Sequence, residues 1–271
     1  MRIEKKKLIK FFEKINMSGD NTVEDVVLDF REDGVYIRTM TDSNVVMVDA
    51  KLSKDAFSSY DAIGEIGVQY ISKLIKVFNA FEKEIDISVS QNIMVISEEN
   101  KSVDFTLPDT AHISRGKELS DMAFGVDFTM PYSHYKSFVD DVSINKDKNI
   151  VIKTEPGKVR LQNTIGIFRF KKDIMLNEIQ SSVKSAFGNP LIDATSQIET
   201  DFKLRMNDNG VINVQENTEN LFVQYFVAPV VEDDNVVVVE EQEQPQEQPQ
   251  EQPQTQAEPQ EYNTGDVNVK G

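Results

Sequence analysis

Lysine is the residue type whose spacing carries the clearest chemistry in this sequence. Residues 4–15 read EKKKLIKFFEKI and contain Lys5, Lys6, Lys7, Lys10 and Lys14. At about 100° per residue, the last four of these lysines share one side of a helix. The opposite side is an apolar stripe of Leu8, Phe11, Phe12 and Ile15. Such a row of ammonium groups attracts a phosphate backbone without reading any base.

A second stretch repeats this arrangement around residues 69–81. Lys73 and Lys76 lie on one side of the predicted helix, and its apolar stripe consists of Ile71, Leu74, Ile75 and Phe78. We expect neither lysine face to carry a compensating Asp or Glu. A lysine face on one helix is commonly a solvated surface only, whereas two such faces in an acidic chain favour a surface for a polyanion.

The negative charge of the chain is concentrated in its C-terminal part. The 271 residues carry a formal net charge of −17 at pH 7. Residues 232–271 contain eleven acids and one lysine, hence −10, which leaves −7 for residues 1–231. Residues 243–254 repeat EQPQ, which is too polar to form a core, so we expect residues 233–271 to be disordered. A mildly acidic body can still present a basic face.

The remaining sequence consists of two halves with the same plan. In each half an amphipathic helix precedes a group of strands, and a shorter helix precedes a second group. This order predicts an α+β fold with helices on one face of antiparallel sheets. The predicted boundaries are 1–107 for a first domain, 108–123 for a polar connector, 124–232 for a second domain and 233–271 for the tail.

Hydrophobic periodicity and turn residues place the individual elements. The predicted helices cover about residues 4–16, 69–81, 132–142 and 190–199. The predicted strands of the first half are 25–30, 34–40, 44–52, 85–90 and 93–97. Those of the second half are 124–130, 149–154, 158–163, 165–170, 202–206 and 221–229.

The two helices of the second half are less basic than those of the first. The helix at 132–142 buries Tyr135, Phe138, Val139 and Val142 and presents Lys136 together with Asp140. The helix at 190–199 buries Leu191, Ala194, Thr195 and Ile198 and presents Asp193 and Gln197. We therefore expect a weaker surface for a polyanion on this half.

The sequence offers little to an enzyme. It has no Cys and two His, His112 and His134, with no metal-ligand spacing around them. The glycines of GDN at 19–21 and GEIG at 64–67 are predicted to form turns, and no phosphate-binding loop is present. We predict no catalysis, no metal and no cofactor. No apolar run approaches the roughly 20 residues that span a bilayer, so we expect a soluble, intracellular protein without a membrane partner.

Residues 34–60, GVYIRTMTDSNVVMVDAKLSKDAFSSY, resemble the sliding clamps of PCNA type. The matching positions are Gly34, Met40, Asp42, Ser43, Val45, Val48, Asp49, Leu52, Phe57 and Tyr60. The ending FVAPVVE at 226–232 and the doubled plan also match that family, which is similar over roughly residues 1–232. Family members occur in archaeal, eukaryotic and viral replication, and we expect an archaeal-like or viral-like member. The compact second half and the atypical tail favour a virus.

The resemblance implies a ring of three identical subunits, a homotrimer, that encircles double-stranded DNA without sequence preference. It implies tethering of a DNA polymerase, opening by an ATP-driven clamp loader, and docking of other replication or repair proteins through short peptide motifs at replication sites. The helices would line the hole. The matching DNA-facing residues are Lys6, Lys7, Lys10, Lys14, Lys73, Lys76 and Lys136.

The resemblance also implies two protein contacts. A peptide pocket beneath the connector matches Met40, Val45, Leu119, Met122, Phe226, Ala228 and Pro229. The contact between subunits would pair residues 102–108, with Phe105 and Leu107, against residues 165–171, with Ile167 and Phe168. Two alternatives stay open: a clamp-like processivity factor that acts as a monomer or in a mixed ring, and an interaction scaffold that does not bind DNA.

Overall fold

The computed structural model describes residues 1–117, 122–143, 149–165 and 168–230. These residues belong to one folded unit, Met1–Glu232. The predicted tail at 233–271 lies outside the described residues, so its disorder stays a prediction. Few helices and many antiparallel strands make up the unit, which confirms the predicted α+β class.

In the described residues, four helices form where the apolar stripes predict them. They are α1 (Lys5–Asn16), α2 (Ile71–Asn79), α3 (Tyr132–Val142) and α4 (Asn189–Thr195). The first two are slightly shorter than predicted, the third has the predicted bounds, and the fourth begins one residue earlier and ends four residues earlier. Helix α2 begins later than predicted because Tyr70 adopts a left-handed conformation with φ of 59°, which no helical residue can share. Short 3₁₀ turns cover Lys54–Ala56 and Thr110–His112.

Seventeen strands are present in the described residues. The first half contains β1 (Arg2–Glu4), β2 (Val26–Arg31), β3 (Gly34–Met40), β4 (Val46–Ser53), β5 (Phe57–Ser59), β6 (Gly64–Val68), β7 (Glu84–Ser90), β8 (Ile93–Glu98) and β9 (Lys101–Thr106). The second half contains β10 (Val126–Met130), β11 (Ile150–Glu155), β12 (Lys158–Ile165), β13 (Phe168–Met175), β14 (Lys184–Phe187), β15 (Phe202–Met206), β16 (Ile212–Asn217) and β17 (Leu221–Val227).

The prediction of a turn at residues 64–67 is wrong, because these residues form most of β6 and pair with β2. A Cβ on Gly67 would lie 2.7 Å from the carbonyl oxygen of Pro108. The glycine therefore permits a close approach of the connector to a strand, which is a second common use of glycine in sheets.

The two halves repeat the same strand order. In the first half, β1-β7-β8-β9 and β4-β3-β2-β6 are the two series of neighbouring strands, with β5 added beside β1. In the second half, β10-β15-β16-β17 and β13-β12-β11-β14 follow the same order. In chain order, β17 is thus the counterpart of β9, and β13 is the counterpart of β4.

One sheet crosses from one half to the other. Strand β17 pairs with β4 over seven residues, from Leu221↔Leu52 to Val227↔Val46, and this junction creates an eight-stranded sheet. Alternate residues of β17 are buried towards the helices, while Phe222, Gln224 and Phe226 are half-buried on the outer face. The helices therefore cover one face of the sheet, and the connector runs over the other.

Helices α1 and α2 form one layer over the core of the first half. The rings of Phe12 and Phe78 stack with centroids 5.7 Å apart, and both side chains are almost fully buried. Truncating either phenylalanine to alanine removes packing worth about 3–5 kcal/mol. This contact fixes the two lysine faces side by side.

Candidate functional site

Four lysines of the helical layer keep their charge free. Lys6, Lys7, Lys73 and Lys76 are exposed, and none of them forms an ion pair within the described part of the chain. The Lys73 ammonium lies 4.0 Å from the centroid of the Tyr70 ring, and the Lys7 ammonium lies 3.5 Å from the carbonyl oxygen of Ala56. These contacts leave the four charges available to an external anion.

Lys14 does not belong to this surface, so the expectation that it faces DNA is wrong. Its side chain is 1% exposed, forms an ion pair with the equally buried Glu216, and donates a 2.6 Å hydrogen bond to the carbonyl oxygen of Gln197. The physical reason is that the last turn of α1 faces the second half of the chain rather than solvent.

The carboxylate of Glu216 is the centre of a small buried network. Besides the Lys14 ammonium, it accepts a 3.0 Å hydrogen bond from the Thr200 hydroxyl and a 3.5 Å one from the backbone N–H of Glu199. The Tyr225 hydroxyl donates to the Lys14 carbonyl oxygen at 2.9 Å, and burial raises the pKa of this tyrosine. The network joins α1 of the first half to β16 and β17 of the second.

Lys10 is also paired, but at the surface. Its ammonium lies 2.7 Å from the Glu199 carboxylate, with 44% and 66% of the two side chains exposed. The hydrogen bond from Lys10 lowers the pKa of Glu199. For α1, the expectation of a lysine face without a compensating acid is therefore wrong, because an acid from the second half reaches it.

The helices of the second half present little free positive charge. Lys136 on α3 is exposed but lies 2.5 Å from Asp140 one turn later. Asp193 on α4, predicted to face outwards, is buried and accepts a 2.7 Å hydrogen bond from the Asn21 amide. The exposed neutral ion pair on α3 confirms the weaker basic character expected from the sequence.

An apolar row crosses the outer face of the eight-stranded sheet. Met47 of β4 pairs with Met40 of β3 on one side and with Phe226 of β17 on the other. Met47 is 3% exposed although it lies outside the main core cluster. The cover comes from the connector, because the Gly116 N–H donates to the Arg38 carbonyl oxygen at 3.1 Å and a Cβ on Gly116 would lie 3.2 Å from Met47 Cγ.

Of the other predicted pocket residues, some lie beside the apolar row and others do not. Val45 accepts a 2.9 Å hydrogen bond from the Ala228 N–H, and Ala228 and the adjacent Pro229 are half-buried next to the apolar row. Met122 is half-buried at the end of the connector, and Leu119 lies outside the described residues. Met47 was missed by sequence reasoning, although the alternation of β4 places it on the outer face with Asp49 and Lys51.

The connector is anchored to the first half by an ion pair. Arg115 contacts both carboxylate oxygens of Glu65, at 2.7 and 2.8 Å, and this hydrogen bonding lowers the pKa of Glu65. Ile113 is buried, and its Cδ1 would be 2.8 Å from a Cβ on Gly67. The first part of the connector is therefore held against β6.

Two of the sheets end in strands that match the predicted contact between subunits. Strand β9 is the last strand of the five-stranded sheet, and β13 is the last strand of the four-stranded sheet. Phe105 of β9 is half-buried against the core. Leu107 is buried in the core of its own chain, so its side chain has little surface left for another subunit. Ile167 and the side chain of Phe168 lie outside the described residues.

No helix in the described ranges combines the length and the hydropathy that crossing a bilayer requires. Among the same residues, no group of three or more His, Asp or Glu side chains is arranged to hold a metal ion.

Known proteins share both the sequence pattern and the fold. Residues 4–115 match the family described as proliferating cell nuclear antigen, N-terminal domain. DNA polymerase sliding clamp 1 of Saccharolobus solfataricus is 23% identical over 160 residues, which cover 56% of this chain and 64% of the length of that relative.

Three solved structures have a similar fold at low sequence identity. PCNA of A. fulgidus, bound to the C-terminal region of FEN-1, has a TM-score of 0.75 and 15% identity, covering 86% of this chain and 98% of that one. PCNA of Entamoeba histolytica has a TM-score of 0.71 and 17% identity, and the similarity covers 85% of this chain and 98% of that one. The PCNA2–PCNA3 complex of Sulfolobus tokodaii has a TM-score of 0.66 and 17% identity, and the similarity covers 84% of this chain and 99% of that one.

The family match covers the first half, and the structural similarity covers both. Proteins of this family are processivity factors without enzymatic activity, in agreement with the absence of catalytic motifs predicted from the sequence. Residues 4–115 thus match the PCNA N-terminal domain, and the described residues have the fold of the PCNA-type sliding clamps.

Proposed function

We propose that this protein encircles duplex DNA without sequence preference and tethers a DNA polymerase and other replication or repair enzymes to it. The observation that carries the proposal is the pair of open strand edges, β9 and β13. In the proposed organisation, residues 1–107 and 124–232 are two clamp domains, joined by the connector at 108–123.

The junction inside the chain predicts the junction between chains. Strand β17 of the second half pairs with β4 of the first. Within the described residues, their counterparts by strand order, β9 and β13, each lack a strand partner on one edge, so a second subunit can repeat the same pairing there. Exposed Arg169 and Lys171 on β13 complement Asp104 on β9 in charge. Repetition of one heterologous contact closes a ring when the rotation fits, and the family resemblance supports three subunits.

The helical layer would then face the enclosed duplex. The free charges of Lys6, Lys7, Lys73 and Lys76 suit a phosphate backbone, and the described helices show no side chains arranged to read bases. Weak, sequence-independent contacts are what a ring that moves along DNA requires.

Simultaneous replacement of Lys7, Lys73 and Lys76 by alanine is expected to weaken duplex binding and its dependence on salt. Each lost phosphate contact makes the negative slope of log affinity against log salt concentration less steep by about 0.9. The measurement is the affinity for a labelled linear duplex across a series of salt concentrations. Lys136→Ala is the matched control and should change the slope less than the loss of an unpaired lysine does, because Asp140 competes with phosphate for this lysine. An unchanged slope in the triple variant would favour the scaffold that does not bind DNA.

The apolar row under the connector is proposed as the site for partner peptides. Met40 and Phe226 are half-buried and offer apolar surface on either side of Met47, which the connector already covers. Few buried anchors normally dominate such binding. The A. fulgidus relative binds the C-terminal region of FEN-1, which supports a peptide as ligand.

Phe226→Ala is expected to reduce the affinity for a FEN-1 C-terminal peptide by about 2 kcal/mol, which corresponds to roughly 30-fold. Titration calorimetry with the full chain measures this change. Phe222→Ala is the matched control, because Phe222 is a half-buried phenylalanine on the same face of the same strand, pairing with Lys51 instead of Met47. Equal losses in both variants would place the peptide elsewhere.

A mixed ring is the second candidate, and the PCNA2–PCNA3 complex of Sulfolobus tokodaii, a relative built from different chains, favours it. The mass of the purified protein in solution separates the two. A homotrimer has a mass near three times 30.8 kDa, whereas a subunit of a mixed ring or a monomeric factor stays near 30.8 kDa without its partners.

A further inference from the structure

Glu199 occupies an unusual position on the lysine face of α1. It lies between α4 and β15 of the second half, yet its carboxylate is 2.7 Å from the Lys10 ammonium of the first. The hydrogen bond from Lys10 lowers the pKa of Glu199, so the carboxylate is ionised at neutral pH. One of the lysines expected to contact phosphate therefore already holds an anionic partner supplied by the protein.

A second acid, which is not paired, lies at the rim of a cavity beside the lysine face of α1. Lys7 and Lys10 line a cavity of about 270 Å³ together with Leu52 and the turn Thr218–Leu221. Glu219 of this turn is exposed and has no ion pair within the described residues. Two carboxylates of the second half thus lie near the α1 lysines, but only Glu199 contacts one directly.

We propose that Glu199 competes with DNA phosphate for Lys10 and thereby limits how strongly the ring holds the duplex. This inference rests on the proposed function. Exposed ion pairs contribute little to stability, so a phosphate can replace the carboxylate at small cost and be replaced by it again. The buried Lys14 allows no such exchange, and Lys73 and Lys76 form no ion pair with any acid that the structure describes.

The expected consequence is that Lys10 exchanges one anionic partner for another, rather than losing its partner, as the ring moves along the duplex by one phosphate. Lys10 alternates between Glu199 and the backbone of the duplex, so its charge stays paired throughout. Removing the carboxylate leaves the phosphate as the only partner. Affinity then rises and movement along the duplex slows.

Glu199→Gln is expected to raise the affinity of the full chain for a labelled linear duplex by about two- to fivefold at low salt. The slope of log affinity against log salt concentration steepens by about 0.9 because one more phosphate contact is retained. Glu219→Gln is the matched control, since it removes the same charge from the same rim without breaking an ion pair. Its effect should be less than half as large.

The Lys10→Gln background identifies the route of the effect. If Glu199 acts through Lys10, then once Lys10 is replaced Glu199→Gln raises the affinity no more than Glu219→Gln does and leaves the slope unchanged. An equal effect of the two Glu→Gln changes, no effect of either, or a larger effect of Glu199→Gln that persists without Lys10 overturns the inference while leaving DNA binding by the wild-type chain intact. Absence of salt-dependent duplex binding by the wild-type chain overturns both the inference and the proposed function.

Discussion

Replacing Lys14 by methionine is expected to lower the free energy of unfolding by about 3–5 kcal/mol. The methionine fills much of the same volume but leaves the Glu216 carboxylate, 1% exposed, without its counter-ion. The Thr200 hydroxyl and the Glu199 N–H still contact that carboxylate, and they do not neutralise its charge. Because the pair connects α1 to β16, the loss weakens the contact between the two halves.

Urea denaturation of the purified chain measures this effect through the shift of the unfolding midpoint. Lys10→Met is the matched control, because it breaks an exposed pair on the same helix, one turn earlier, and should cost less than about 1 kcal/mol. The double variant Lys14→Met/Glu216→Leu should recover most of the loss, since replacing a whole buried ion pair by apolar residues is often neutral. Equal destabilisation by Lys14→Met and Lys10→Met would show that the buried pair does not join the halves.

Lys14 also shows where sequence reasoning stops. Its position on the helical wheel is equivalent to that of Lys10, and local periodicity gives no reason to separate them. The difference arises from Gln197 and Glu216, residues about 180–200 positions away that cover the last turn of α1. A contact of this kind depends on how the halves are joined, which no local pattern contains.

Elements with strong periodicity were predictable for the opposite reason. The stripe of α1 and the alternation of β3 depend on neighbours within one element, so helix, strand and buried face follow from the sequence. The pairing of β17 with β4 and the covering of Met47 by Gly116 do not. The short polar strand β16 was missed because its alternation is weak, although Val214 and Ile212 are fully buried.

The backbone of β9 is oriented in a way that allows a precise test of ring closure. The two-residue turn Glu99–Asn100 pairs Glu98 with Lys101, so odd-numbered residues of β9 bond to β8. Leu107, also odd-numbered, likewise bonds on the β8 side, because its N–H donates to the Asn92 carbonyl oxygen at 2.7 Å. Asp104 therefore directs its N–H and C=O towards the open edge.

Asp104→Pro is expected to convert the proposed ring to monomers while preserving the fold of each chain. Proline removes the N–H that would bond to β13 of the next subunit, and its ring blocks close approach of that strand. The bonds between β9 and β8 are made by neighbouring residues and stay intact. The proposed contact consists of two short strands, β9 and β13 of the next subunit. Loss of a hydrogen bond from its middle should separate the subunits at micromolar concentration.

Sedimentation equilibrium measures the outcome as a fall in mass from near three times 30.8 kDa to 30.8 kDa. Asp104→Ala is the matched control, because it removes the same carboxylate but keeps the N–H, and it should remain assembled. Lys171→Pro tests the opposite edge, since the even-numbered residues of β13 bond to β12 and Lys171 is directed outwards. If both proline variants keep the mass of the wild-type assembly, the subunits meet elsewhere. The contact between subunits then does not repeat the pairing of β17 with β4.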